Sequence, residues 1–226
     1  IEDSAHALGA KYISGERVGS CKYSDATVFS FHPVKIIAGG EGGMITTNSE
    51  DLYYKLLKLR THGVNQNSHE ILNKDVGISK NEKNLWYYEM TDLGYHYRQT
   101  DIHCALIYSQ MDRIDNFLSK RKKIASFYDF EFSKNNKYFL PQKNFRNFSS
   151  NHLYTLNLDF EKNGITRNYL MSELQKRNII TQVHYIPVPL QYYYKKIGYN
   201  MKNLENTLNH LISHSHFTAS LRPSVK

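Results

Sequence analysis

Ser30-Phe31-His32-Pro33-Val34-Lys35, followed by Gly39-Gly40-Glu41-Gly42-Gly43, decides how this chain is read. The run Ala26 to Phe31, with its β-branched and aromatic residues, predicts a strand, and Met44 to Thr47 predicts a second one behind the glycines. One lysine therefore stands in a short loop between strands, beside glycines that let backbone approach a ligand closely. A loop lysine is ordinarily a solvated surface residue, because lysine is almost never buried without a partner. What sets Lys35 apart is its company. Upstream, Ile1-Glu2-Asp3-Ser4-Ala5-His6-Ala7 steps from apolar to acidic, as a strand does on entering a turn. Such turns are where α/β proteins place ligand-contacting groups.

A lysine, an acid and a hydroxyl around glycines suit pyridoxal 5'-phosphate. Its chemistry needs a lysine for the Schiff base, a carboxylate against the pyridinium nitrogen and donors for the phosphate. The carboxylate keeps the ring nitrogen protonated, so that the ring accepts the electrons released when a proton leaves the substrate carbon. Asp3 is placed for that role; read alone it would be a turn-capping aspartate. The five-residue step from Ser30 to Lys35 lets the hydroxyl bond the phosphate while the amine reaches the aldehyde carbon. Taken singly, Ser30 is a strand-end hydroxyl and His6 a turn histidine; the constellation gives them their weight.

Glu2-Asp3-Ser4-Ala5-His6-Ala7, the Ser30 to Lys35 stretch and Gly40-Glu41-Gly42-Gly43 together resemble the DegT/DnrJ/StrS family of sugar aminotransferases. Further matches, in the same order as in that family, are Leu59-Arg60-Thr61-His62-Gly63, Leu93 to Asp101, and Val183-His184-Tyr185-Ile186-Pro187-Val188-Pro189-Leu190. The Ser-Phe-His-Pro-Val-Lys and Val-His-Tyr-Ile-Pro forms most resemble the branch that acts on UDP-4-keto sugars in pseudaminic acid formation. The resemblance implies an α/β fold of the PLP-dependent transferase fold type I (aspartate aminotransferase-like). It implies Lys35 as the catalytic lysine, Asp3, His6 and Ser30 as cofactor-binding residues, and His184 and Tyr185 in the sugar-nucleotide pocket, with strand packing as the alternative for the last two. His96 stands where relatives usually carry an asparagine that reaches the neighbouring subunit's phosphate, and histidine can donate a similar hydrogen bond. The implied substrates are glutamate and a UDP-4-keto-6-deoxy sugar, and the implied assembly is a homodimer with shared active sites.

Composition narrows the alternatives. The chain has 226 residues and a formal charge of +8, which would attract anionic ligands. Its 18 tyrosines, some beside lysines as in Tyr192-Tyr193-Tyr194-Lys195-Lys196, come with no RNP, helix-turn-helix or zinc-finger pattern, so nucleic acid is not expected. No run of eighteen apolar residues is present, and no membrane span is expected. Cys21 and Cys104 give no disulfide framework, fit a cytoplasmic protein and read as packing residues.

Along the chain, Asn48 to Asp51 starts a helix whose apolar stripe runs through Leu52, Leu56 and Leu59 to a stop at Gly63. Val64 to Met90 reads as a long polar loop around Trp86, a lid or an insertion. From Thr100 the spacing is helical as far as Tyr128, which predicts two helices or one bent helix. Polar residues Ser133 to Ser150 mark a boundary between a cofactor-binding domain, 1–132, and a small domain, 133–226. The latter is expected to hold a strand over His152 to Asp159, a helix over Thr166 to Lys176 and a second strand over Thr181 to Tyr185. His210, His214 and His216 have a spacing that can bind zinc, but no acidic or cysteine ligand accompanies them, and no metal is expected. The start at Ile1 and the tail from Phe217 suggest a C-terminal piece with an altered or truncated end. A second reading follows from that, an inactive remnant or split frame of such an enzyme.

Overall fold

In a computed structural model, residues 1–65 and 71–199 are described in full and residues 216–219 in backbone alone. The chain divides into two compact units: Ile1–Leu8 with Gly15–Ile114, and Gly9–Ser14 with Asp115–Lys226.

The first unit is built on a three-stranded sheet of order β1-β2-β3, where β1 is Glu2–Asp3, β2 Thr27–Ser30 and β3 Gly43–Thr46. β1 pairs parallel to β2 with Asp3 opposite Val28, and β3 returns antiparallel with Gly43 opposite Ser30. Because side chains alternate across a sheet, Asp3, Val28 and Ser30 share one face. The other face carries Glu2, whose carboxylate accepts from the hydroxyls of Ser24 and Thr27 at 3.2 and 3.0 Å. Thr27, Phe29, Phe31, Ile36 and Ile37 form the buried centre. Cys21 is buried with them and its thiol reaches the Thr46 carbonyl, whereas Cys104 is exposed, so only the first of the two cysteines is a packing residue.

Helix α1, Glu50–Arg60, begins where the sequence signals it: the Ser49 side chain caps the Leu52 N–H, acids fill the first turn and bases the last. It ends at His62 and Gly63, both at positive φ, with the Gly63 N–H on the Lys58 carbonyl. A Cβ on Gly63 would collide with the Asp92 carbonyl, so glycine is required there.

The expected long loop is instead a chain of small elements. Strands β4 (Val64–Asn65) and β7 (Glu89–Met90) pair, and between them lie the helical turn α2 (Lys74–Gly77) and the hairpin β5 (Ile78–Ser79) to β6 (Glu82–Lys83). Lys80 and Asn81 both have positive φ, which a two-residue hairpin turn demands.

Of the two alternatives the spacing left open, two helices form: α3, Asp101–Met111, capped by Thr100 on the His103 N–H, and α4, Ile114–Ser133.

The second unit holds an antiparallel sheet of order β10-β11-β9-β8, made of β8 (Tyr138–Phe139), β9 (Tyr154–Leu158), β10 (Gln182–Val183) and β11 (His216–Ala219). β9 was expected, whereas β8 lies inside the stretch read as a boundary. β11 begins at the tail set apart in the sequence and fills an inner position, with Phe217 opposite Leu156 and Val183. Ala125 of α4 packs with Tyr154 and Leu156, joined by Tyr128, Phe132, Tyr138 and Leu140. Helices α5 (Arg167–Gln175), capped by Thr166, and α6 (Tyr192–Lys196) complete the unit. Among the described residues no helix is long and apolar enough to cross a membrane.

Candidate active site

Parallel pairing of β1 and β2 puts their carboxyl ends at one edge of the sheet, and two candidate groups leave the sheet there. Asp3 ends β1, and one of its carboxylate oxygens accepts from the Ala5 N–H at 3.1 Å, turning the chain toward the partly buried His6. Ser30 ends β2, where its hydroxyl accepts from the His32 N–H at 3.4 Å. A hydroxyl that accepts from its own turn keeps its proton to donate.

Lys35 closes a tight turn, its N–H on the His32 carbonyl at 2.9 Å. The His32 ring braces that turn: Nδ1 accepts from the Val34 N–H at 3.3 Å, and Nε2 lies 3.8 Å from the Glu41 carboxylate. The Lys35 side chain is half-buried. Burial pulls its pKa below the ordinary lysine value, while the charge of the Asp3 carboxylate acts in the opposite direction. Burial outweighs the Asp3 charge, so the ammonium is held less firmly than on a solvated lysine.

The glycine run has a neighbour that the sequence reading did not give it. Rather than opening space for a ligand, residues 38–42 descend one face of α3. The Gln110 amide meets Ala38, a Cβ on Gly39 would come within 2.7 Å of the Ile107 Cδ1, one on Gly40 would lie 3.4 Å from the His103 Nε2, and one on Gly42 would strike the Gln99 side chain. Gln99 donates to the Glu41 carbonyl at 2.6 Å. His103, Ile107 and Gln110 recur at helical spacing on α3, a stripe visible in the sequence once α3 is drawn as a helix, and Gln99 lies just before its cap.

His96 is exposed, bridged by backbone to Thr61, its ring 5.5 Å from that of His62. His184 and Tyr185 belong to the second unit, just after β10, with ring centroids 4.3 Å apart. His210 and His214 lie outside the described residues and His216 is described in backbone alone. Among the described residues no group of three His, Cys, Asp or Glu could hold a metal.

The donor set fits pyridoxal phosphate: a half-buried lysine, a carboxylate in electrostatic reach and a strand-end hydroxyl, gathered where parallel strands end. The fold is that of the PLP-dependent transferases of fold type I. The chain belongs to the DegT/DnrJ/EryC1/StrS aminotransferase family, whose model matches residues 1–225.

It is 40% identical over 211 residues to the UDP-4-amino-4,6-dideoxy-N-acetyl-beta-L-altrosamine transaminase of Campylobacter jejuni, covering 92% of this chain and 50% of that protein. It superposes on Helicobacter pylori PseC, an aminotransferase of pseudoaminic acid biosynthesis, with a TM-score of 0.79 and 28% identity over 96% of this chain and 52% of that one. The PLP form of the Streptococcus pneumoniae sugar aminotransferase Spr1654 gives 0.77 and 30%, over 99% of this chain and 53% of that one. The chain spans about half the length of the curated relatives it matches.

Proposed function

We propose that the protein is a pyridoxal 5'-phosphate-dependent aminotransferase that moves an amino group from glutamate to C4 of a UDP-4-keto-6-deoxy-hexose, in the cytoplasm and as a homodimer. The observation that carries this reading is the half-buried Lys35 amine, in electrostatic reach of Asp3 beside the carboxyl ends of two parallel strands. Family membership supports the reaction class. The 4-amino sugar in the Campylobacter relative's name supports the position of transfer, and the +8 charge suits an anionic nucleotide sugar.

In this reading residues 1–132 belong to the cofactor-binding domain and residues 133–226 to the small domain. When bound, the cofactor supplies the electron sink that makes an amino acid's α-proton removable. Lys35 would hold it through Nζ and would act as the base for the α-proton of the amino donor. Asp3 would accept the pyridinium N–H, Ser30 would donate to the phosphate, and His6 would contribute to holding the cofactor. His96 donates to the phosphate held by a neighbouring copy, and His184 with Tyr185 lines the sugar-nucleotide pocket.

The test supplies the full chain, loaded with pyridoxal 5'-phosphate, with isotope-labelled glutamate and a UDP-4-keto-6-deoxy-N-acetylhexosamine. Labelled nitrogen in a 4-amino sugar is the expected product. No amino sugar, with the cofactor demonstrably bound to Lys35, overturns the substrate assignment and leaves a cofactor-binding protein without this reaction.

A further inference from the structure

Among the described residues no strand pairs with the chain between Lys35 and the glycines. Its base is tied down: the Phe31 carbonyl accepts from the Gly39 N–H at 2.9 Å, and the Phe31 N–H donates to the Gly42 carbonyl at 2.8 Å. Above that base the fixing comes from a helix. Gln110 Oε1 accepts from the Ala38 N–H at 3.3 Å, and Gln110 Nε2 donates to the Ala38 carbonyl at 2.7 Å. Two bonds to one backbone residue are what an adjacent strand would supply, here delivered by one amide. The same Nε2 donates to the Leu106 carbonyl at 2.7 Å, which locks the rotamer against its own helix.

We propose that Gln110 is the positioning residue of Lys35: from the last turn of α3 its amide grips Ala38, three residues beyond the lysine, and sets the level at which the lysine turn stands at the sheet edge. Glutamine suits the task because only an amide offers a donor and an acceptor side by side. Ile107 against Gly39 sets the separation of loop and helix, and Gln99 on Glu41 holds the far end. Titratable groups facing the turn are Asp3 from β1, His32 and Glu41 from the loop, and His103 from α3. The inference rests on reading Lys35 as the cofactor-binding amine.

The experiment treats the full chain with pyridoxal 5'-phosphate, quenches with borohydride across a pH series, and measures labelling of the Lys35 peptide by mass. In Gln110→Met the turn relaxes toward water, so the labelling midpoint moves to higher pH and the yield at neutral pH falls about tenfold, the effect of about one pK unit. Gln110→Glu, which accepts from the Ala38 N–H but has no donor for its carbonyl, behaves like Gln110→Met rather than like wild type. Ser49→Ala, which loosens the cap of α1 away from the loop, keeps the wild-type midpoint and thereby separates positioning from general destabilisation.

A labelled wild type with an unchanged midpoint and yield in Gln110→Met overturns the inference. An unlabelled wild type overturns the cofactor reading itself. Should Gln110→Met fail to fold, Gln99→Met, which removes one bond from the same loop, shifts the midpoint in the same direction by less, and an unchanged midpoint there is equally fatal. Amide exchange over residues 36–42 without cofactor is expected to be faster in Gln110→Met.

Discussion

Two regions of the molecule withdraw charge from water, and they do it with opposite results. In the second unit Arg146 and Asp129 are buried, with guanidinium Nε and Nη2 on the two carboxylate oxygens at 2.9 and 3.2 Å. Asn151 and Gln142 accept from Nη1, the Tyr154 hydroxyl donates to Asp129, and the Tyr154 ring lies 4.5 Å beneath the guanidinium. Burial, followed by the bond to Asp129, pushes the Tyr154 phenol well above its ordinary pKa, so it stays a donor. In the first unit Lys35 is withdrawn less deeply, yet the Asp3 charge only partly offsets the cost of burial. In the second unit each charge meets its opposite and further hydrogen-bond partners between helix and sheet. In the first, burial is only partly offset, and the ammonium is held less firmly.

The comparison can be broken at either end. Arg146→Met leaves the Asp129 carboxylate buried without its ion and should cost about 3–5 kcal/mol in denaturant unfolding. Adding Asp129→Leu should recover most of that loss, since a buried pair is dear to break but not dear to replace; a double variant as unstable as the single one would mean that the network is needed for the unit to fold.

At the other end, if Asp3 holds the cofactor as proposed, Asp3→Asn should weaken pyridoxal phosphate binding by about 1.5–3 kcal/mol, more than about tenfold in dissociation constant. Without the carboxylate the pKa of Lys35 falls further, so its labelling midpoint moves to lower pH. A midpoint that rises would show that Asp3 does not act on the amine.

The smallest effect is on stability against pH. Burial holds the folded-state pKa of Lys35 below the ordinary lysine value, so the folded protein bears the cost of the ammonium at all pH values below that lowered pKa. The cost is relieved as pH rises from the lowered pKa to the unfolded value. Lys35→Met should therefore be the more stable protein near neutrality, and its advantage should shrink in alkali. A constant advantage would place the amine in water.

Much of this was legible in the sequence where local signals and burial agree. β2, β3, the cap of α1 and α5 all announce themselves by propensity, spacing or capping residue. Asp3 and Lys35 stood out as candidates because their chemistry is rare in combination. The rest hid for physical reasons. Arg146 sits among polar residues and reads as surface, and only tertiary pairing with Asp129 makes it core. β11 is an inner strand whose partners lie in β9 and β10, far away in sequence, so no local pattern shows its place. The glycines were read against a ligand because a sequence shows that room is needed, not what fills it; here α3 fills it.

The most direct measurement is peptide mapping after borohydride reduction of the full chain with pyridoxal 5'-phosphate at neutral pH. The account predicts one predominant modified residue, Lys35, with the label abolished in Lys35→Ala. Labelling spread over the surface lysines, equal in wild type and Lys35→Ala, would contradict it.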